Sequence, residues 1–367
     1  MSLAVGIVGM PNVGKSTLFN ALTRAQNAEA ANYPFCTIEP NKATAPVADP
    51  RVEKLAEICK SGRIVHATVD FTDIAGLVRG ASKGEGLGNQ FLGNIRECDA
   101  ILEVVRCFDN DDVVHVEGSV DPIRDVGIIE TELVLADLQS LEKRLDRISR
   151  QARADKSLAK EVEAMTALRD HLDAGEPART FEAADADALE PTRRELRLLT
   201  DKPIIYVANV GEGDLGQPDN PHVQALKAHA AAHKCDTVTI CAAMEADLAG
   251  LSDEEQRDFL ESYGLEQSGL DATIRMAYHT LGLQSFFTAG PMEAKAWTIR
   301  RGWTAPKAAG VIHSDFERGF IRAEVVSYDD FVALGGEAHA REKGLLRVEG
   351  KEYVMREGDV VHFLFNV

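Results

Sequence analysis

Gly9-Met10-Pro11-Asn12-Val13-Gly14-Lys15-Ser16 stands directly after the apolar run Ala4 to Val8 and has the spacing of a phosphate-binding P-loop. No other feature of the chain restricts its fold so much. A strand must turn at once into a helix while successive backbone N–H groups face a pyrophosphate, so glycine stands where a Cβ would block the approach. The backbone from Asn12 through Val13, Gly14, Lys15, Ser16 and Thr17 is expected to line the phosphates. Lys15 reaches the β- and γ-phosphates as a point charge and serves the chemistry there, and the Ser16 hydroxyl can ligate Mg²⁺. Leu18, Phe19 and Leu22 give the following helix an apolar face. The ligand implied is a nucleoside triphosphate.

A Mg²⁺-dependent switch needs further contacts to the metal and the γ-phosphate. Asp73-Ile74-Ala75-Gly76 follows an apolar run ending at Phe71, so the Asp73 carboxylate can hold a metal-bound water and the Gly76 N–H can meet the γ-phosphate. Thr37, in Tyr33-Pro34-Phe35-Cys36-Thr37, is the best-placed hydroxyl to close over the metal. The expected metal set is therefore Ser16, Thr37 and Asp73. Leu77 occupies the position where Ras-type enzymes carry a water-orienting Gln, so intrinsic turnover is expected to be slow.

Base choice is read from Asn209-Val210-Gly211-Glu212, which follows the strand Ile204 to Val207 where a GTPase carries N-K-x-D. Aspartate there accepts from guanine N1–H and the 2-amino group. Glu212 lengthens that arm and removes the short fixed fork, and Val210 replaces the Lys whose stem covers the base. Asn209 can pair with the N7 acceptor and N6 donor of adenine, as Asn does with that edge in DNA. The expectation is ATP over GTP, with the loop Cys241 to Glu245 packing the base from the other side around Ala242.

Apolar β-branched runs alternate with helical stretches at Ala4 to Val8, Val65 to Phe71, Ile101 to Val105, Ile204 to Val207 and Thr237 to Ile240. That alternation predicts an α/β fold with a doubly wound parallel sheet. It is interrupted by a loop over 108–125 and then by a helical insertion. Val134, Leu138, Leu141, Leu145, Ile148 and Ala152 form a heptad seam, and a second helix carries Leu158, Val162, Met165, Leu168 and Leu172, predicting an antiparallel hairpin. Its far end holds Lys143, Arg144, Arg147, Arg150, Arg153, Lys156 and Lys160. A basic tip suits an anionic partner, RNA above all. A further short helix is expected to start at Pro191.

From about Leu281 the chain changes to short strands and turns, with 11 Lys and Arg against 12 Asp and Glu, predicting a small separate α+β module. The whole chain has a formal net charge of −19, which excludes a general nucleic-acid coat and makes any RNA contact regional. Six scattered cysteines show no metal-ligand spacing and suit the reduced thiols of a cytoplasmic protein. The first apolar run is too short to span a membrane. No membrane partner is expected, and a monomer is.

With these residues in hand, the chain resembles the Obg-like ATPases of the YchF subfamily. The resemblance runs through the P-loop with Pro11-Asn12, Asn32 to Asn41, Asp73 to Asn89, the N-x-x-E at 209–212 and the tail Ala296 to Val325. It implies an OBG-type G domain over 1–280 containing a coiled-coil insertion at 129–199, and a β-grasp (TGS) domain over 281–367. It also implies ATP hydrolysis with Mg²⁺ and association with ribosomes or their subunits. Among the histidines the resemblance favours His115 as the group that aligns water or accepts its proton. A K⁺ ion beside the phosphates, with Asn12 as ligand, is a second source of transition-state charge. The competing readings are a non-catalytic ATP-gated module and an Obg-type GTPase.

Overall fold

The computed structural model describes residues 3–28, 41–74, 87–110 and 113–366. The chain divides into two compact units, neither continuous in sequence: Met1–Arg24 with Ile38–Ala43 and Asp70–Thr273, and Ala25–Thr37 with Thr44–Val69 and Ile274–Val367. The first seven strands are β1 (Ala4–Val8), β2 (Lys42–Val47), β3 (Ile64–Val65), β4 (Ala67–Asp73), β5 (Ala100–Arg106), β6 (Ile204–Asn209) and β7 (Asp236–Ile240). All but β3 form one sheet in the order β2-β4-β1-β5-β6-β7. The pairs β1/β4, β1/β5, β5/β6 and β6/β7 are parallel.

Every residue of β5 and β6 is buried, as strands covered on both faces require. The sequence reading missed β2, because Lys-Ala-Thr-Ala-Pro-Val is poor in strand formers. It alternates buried residues with exposed or half-buried ones at the sheet edge, where Pro46 is tolerated.

The α-helices up to residue 280 are α1 (Lys15–Ala28), α2 (Pro50–Cys59), α3 (Leu87–Glu97), α4 (Pro122–Ala152), α5 (Ala159–Asp173), α6 (Ala186–Leu196), α7 (Pro221–Ala232), α8 (Ala242–Leu248), α9 (Asp253–Ser262) and α10 (Gly269–Thr280). The expected hairpin is α4 against α5. Val134, Leu141, Leu145 and Ile148 bury against Met165, Leu168 and Leu172, with Leu138 and Val162 at the margin. Two expectations are corrected. Helix α4 begins at Pro122, inside the stretch read as loop and seven residues before the expected insertion, because Asp121 caps it by accepting from the Arg124 N–H at 3.1 Å. Helix α6 begins at Ala186 and carries Pro191 in its interior, because Asp185 caps its start while Leu189 and Thr192 are buried.

The second unit adds β8 (Leu283–Ala289), β9 (Ala294–Arg300), β10 (Phe320–Ser327), β11 (Arg347–Glu349) and β12 (Asp359–Phe365), with α11 (Ala305–Ile312), α12 (Ser314–Arg318), α13 (Tyr328–Leu334) and α14 (Glu337–Glu342). Its mixed sheet runs β11-β10-β12-β8-β9-β3 and wraps a core of Phe286, Ile299, Ala305, Ala309, Phe320 and Phe363, the α+β arrangement expected for this end of the chain. Upstream residues complete it. Ile64 and Val65 of β3 pair in parallel with Ala294 and Lys295, and α2 packs on β8, β9 and α13.

Candidate nucleotide site

The site of the first unit is built at the carboxyl ends of β1, β4 and β6. Gly9 has φ +151° and Gly14 φ +100°, conformations that side-chain-bearing residues rarely adopt. A Cβ on Gly9 would collide with the Val104 carbonyl, and one on Gly14 with Nδ2 of Asn209. Asn12 sits in the left-handed region at φ +61° and donates from Nδ2 to the Val114 carbonyl at 3.2 Å. Both glycines are thus fixed by the neighbouring strands as well as by any phosphate.

Lys15 opens α1 and is almost wholly buried, its ammonium donating to the Met10 carbonyl at 2.6 Å. Burial lowers its pKa to about 8, against the pull of Asp73 in the other direction. Asp73 ends β4 opposite Ile7 of β1, and burial raises its pKa while Lys15 opposes that rise. The two side chains therefore act on one another electrostatically at this end of the sheet. Val13 is buried beneath the loop, whereas Ser16 is exposed and Thr17 partly so at the first turn of α1.

A P-loop Mg²⁺ asks the protein for one hydroxyl and one carboxylate, the rest coming from phosphate and water. Ser16 and Asp73 supply that hard-oxygen set, so the residues fit the ion. No group of three or more His, Cys, Asp or Glu with metal-binding geometry occurs among the described residues. Thr37 and Gly76 lie outside the described residues, as does Leu77.

On the base side, Asn209 is buried and spends its amide within the protein. Nδ2 donates to the Val13 carbonyl at 2.8 Å and Oδ1 accepts from the Ala242 N–H at 2.9 Å. One side chain thus ties the P-loop to the start of α8 and leaves a single Nδ2 hydrogen uncommitted. Val210 is buried too, so its side chain does not extend over a base face, and its N–H donates to the Ile240 carbonyl at 2.8 Å. Glu212 is exposed and its Oε1 accepts from the Tyr263 hydroxyl at 2.6 Å.

His115 lies in the loop after β5, buried, with both ring nitrogens engaged. Nδ1 accepts from the Glu117 N–H at 3.1 Å, which places the proton on Nε2, 2.8 Å from Asp125 Oδ2. To reach a water molecule the ring must first leave Asp125. Arg106 shapes the same loop. It is fully buried and donates to the carbonyls of Phe108, Asn110 and Val113 while stacking on the Phe108 ring at 4.8 Å. Sequence reasoning missed Arg106, Asp125 and Tyr263, because none stands in a motif and the contacts each makes are set by the folded loops around it.

The hairpin tip is less basic than its sequence. Arg144 is buried against Glu161, Glu195 and Thr192, Arg147 also meets Glu195, and Lys160 meets Asp185. Lys143, Arg150, Arg153 and Lys156 remain exposed, with no acidic partner among the described residues. No helix among the described residues is long and apolar enough to cross a membrane.

Comparison with known proteins accords with this architecture. Residues 4–210 match the family described as 50S ribosome-binding GTPase, and residues 283–366 match the YchF-GTPase carboxy-terminal family, described as a protein of unknown function. Curated relatives bearing the name ribosome-binding ATPase YchF are 50% identical in Bacillus subtilis, 52% in Haemophilus influenzae and 51% in Escherichia coli O157:H7, each alignment covering 100% of both chains. A solved structure described as the Schizosaccharomyces pombe YchF GTPase superposes with a TM-score of 0.88 at 37% identity, covering 99% of this chain and 98% of that one.

Proposed function

The chain belongs to the YchF family of ribosome-binding P-loop ATPases, and on that premise we propose that it is a Mg²⁺-dependent switch that hydrolyses ATP in preference to GTP and docks on the ribosome according to its nucleotide state. The observation that carries the chemistry is the pairing of Lys15, at the start of α1, with Asp73, at the carboxyl end of β4, beside a loop whose glycines admit nothing larger. Lys15 trades the Met10 carbonyl for the β- and γ-phosphate oxygens, and the N–H groups of residues 13–17 hold the rest of the chain of phosphates. Ser16 and Asp73, with Thr37, hold Mg²⁺, which when bound neutralises charge developing between the β- and γ-phosphates. Gly76 meets the γ-phosphate.

Asn209, Val210 and Glu212 frame the base. Asn209 keeps its remaining amide hydrogen for adenine N7, while Glu212, on a longer arm than aspartate, is not held in the fixed fork that guanine needs. The reading of the water-activating group rests on His115, which swings Nε2 from Asp125 to the attacking water. Asn12, whose Nδ2 is directed to Val114, offers its oxygen to K⁺. The ribosome contact is assigned to RNA phosphates at Lys143, Arg150, Arg153 and Lys156, the protein acting as a cytoplasmic monomer without membrane contact.

Competition of ATP and GTP against a fluorescent analogue, together with single-turnover phosphate release with and without Mg²⁺, tests this reading. Tighter ATP binding and Mg²⁺-dependent release are expected. Equal affinity for both nucleotides overturns the base preference, and absence of release overturns the hydrolysis.

A further inference from the structure

We infer that Tyr263 is a positioning residue for purine selection, acting through Glu212 by holding its carboxylate in one orientation. The inference deepens the ATP preference proposed above and rests on that reading of Glu212. The hydrogen bond runs 2.6 Å from the phenol to Oε1 and lies in an exposed position. It also raises the Tyr263 phenol pKa above its ordinary value.

Tyr263 is itself fixed in place. Its ring packs on Phe259 at 5.1 Å, its N–H donates to the Leu260 carbonyl at 3.1 Å at the end of α9, and its carbonyl abuts Gly216. Gly216 has φ +68° and lies four residues beyond Glu212, and a Cβ there would collide with the Tyr263 carbonyl. The loop carrying Glu212 and the end of α9 are therefore locked together at one backbone contact and one side-chain bond.

The chemistry gives the bond a direction. Guanine presents two donors, N1–H and the 2-amino group, and needs both oxygens of a carboxylate turned toward it. A phenol that claims Oε1 from the opposite residue fixes the rotation of that carboxylate and disfavours the bidentate pose. Adenine presents an acceptor at N1, which a carboxylate left free to swing would repel. One hydrogen bond thus raises the affinity for ATP and lowers that for GTP, and Glu212 is kept neither as a guanine clamp nor as a loose anion.

The test is the ratio of GTP to ATP dissociation constants in the full-length protein, measured by calorimetry with Mg²⁺, for wild type, Tyr263→Phe and the double variant Tyr263→Phe/Glu212→Gln. Tyr263→Phe is expected to tighten GTP about fivefold and weaken ATP about twofold, the loss of one solvent-exposed hydrogen bond being of that order. The double variant is expected to lose the gain in GTP affinity, since an amide no longer offers two acceptors. A ratio that stays within twofold of wild type in Tyr263→Phe overturns the inference, as does a gain that persists in the double variant. A wild type that binds both nucleotides equally defeats the ATP preference instead, and the shift on Tyr263→Phe still decides what Tyr263 does.

Discussion

Lys15 shows how burial and charge oppose one another at a single residue. Its pKa of about 8, lowered by desolvation, means that the ammonium is charged at neutral pH and loses its proton as the pH rises past 8. Phosphate binding needs the charged form, so ATP affinity should fall above pH 8, and binding at pH 9 should take up close to one proton. Calorimetry in two buffers of different ionisation enthalpy at pH 9 measures that uptake, and identical heats after buffer correction at pH 7 and 9 count against it. Gly14→Ala should abolish nucleotide binding and lower the melting temperature, because the added methyl strikes the Asn209 amide that bridges the P-loop and α8. His115→Ala should slow single-turnover hydrolysis by about 10²-fold, the lower end of what a positioned acid or base contributes, with ATP affinity unchanged. Gly14 and Lys15 were legible because the P-loop requirement is local in sequence. The tie of His115 to Asp125 and the double engagement of Asn209 were not, since ten and 196 residues of chain separate the partners.

At the level of elements, hydrophobic periodicity carries far. The seam from Val134 to Ile148 is the seam that packs, because positions spaced by three and four fall on one helix face whatever lies beyond it. Charge does not carry so well. Arg144 reads as part of the basic tip, yet its position beside Glu161 and Glu195 is set by where α5 and α6 lie, and its guanidinium is buried there. Pro191 misleads for a related reason: a proline suits a first turn, but the Asp185 cap and the burial of Leu189 start the helix earlier. Replacing Lys143, Arg150, Arg153 and Lys156 together by Ala should weaken ribosome co-sedimentation and flatten its dependence on salt, since every phosphate that is no longer neutralised reduces the log–log slope by about 0.7 to 0.9. ATP hydrolysis by that variant in the absence of ribosomes should match wild type, and undiminished co-sedimentation argues that the hairpin tip does not touch the ribosome.

For the whole molecule, the compact unit that contains the carboxy-terminal sheet also takes in Thr44–Val69. Strand β3 supplies its outermost strand, α2 buries Val52 and Leu55, and Arg51 pairs with Glu357 while lying 4.9 Å from the Phe287 ring. A fragment of residues 281–367 should therefore melt well below the same segment in the intact chain, because it lacks apolar side chains worth about 1.5 to 3 kcal/mol each when buried. Circular dichroism melts of the fragment alone and mixed with a peptide of residues 44–69 check this, a raised melting temperature in the mixture being the expected result.

The sequence by itself determined that a triphosphate cradle follows the first strand, that an α/β sheet carries it and that a helical hairpin interrupts it, because those features depend on residues close together along the chain. Which strand completes the second sheet, which arginine of the hairpin is withdrawn from solvent and what holds Glu212 were decided only by the tertiary structure. Each of those depends on groups separated by 17 residues or more, brought together by packing that no local pattern encodes.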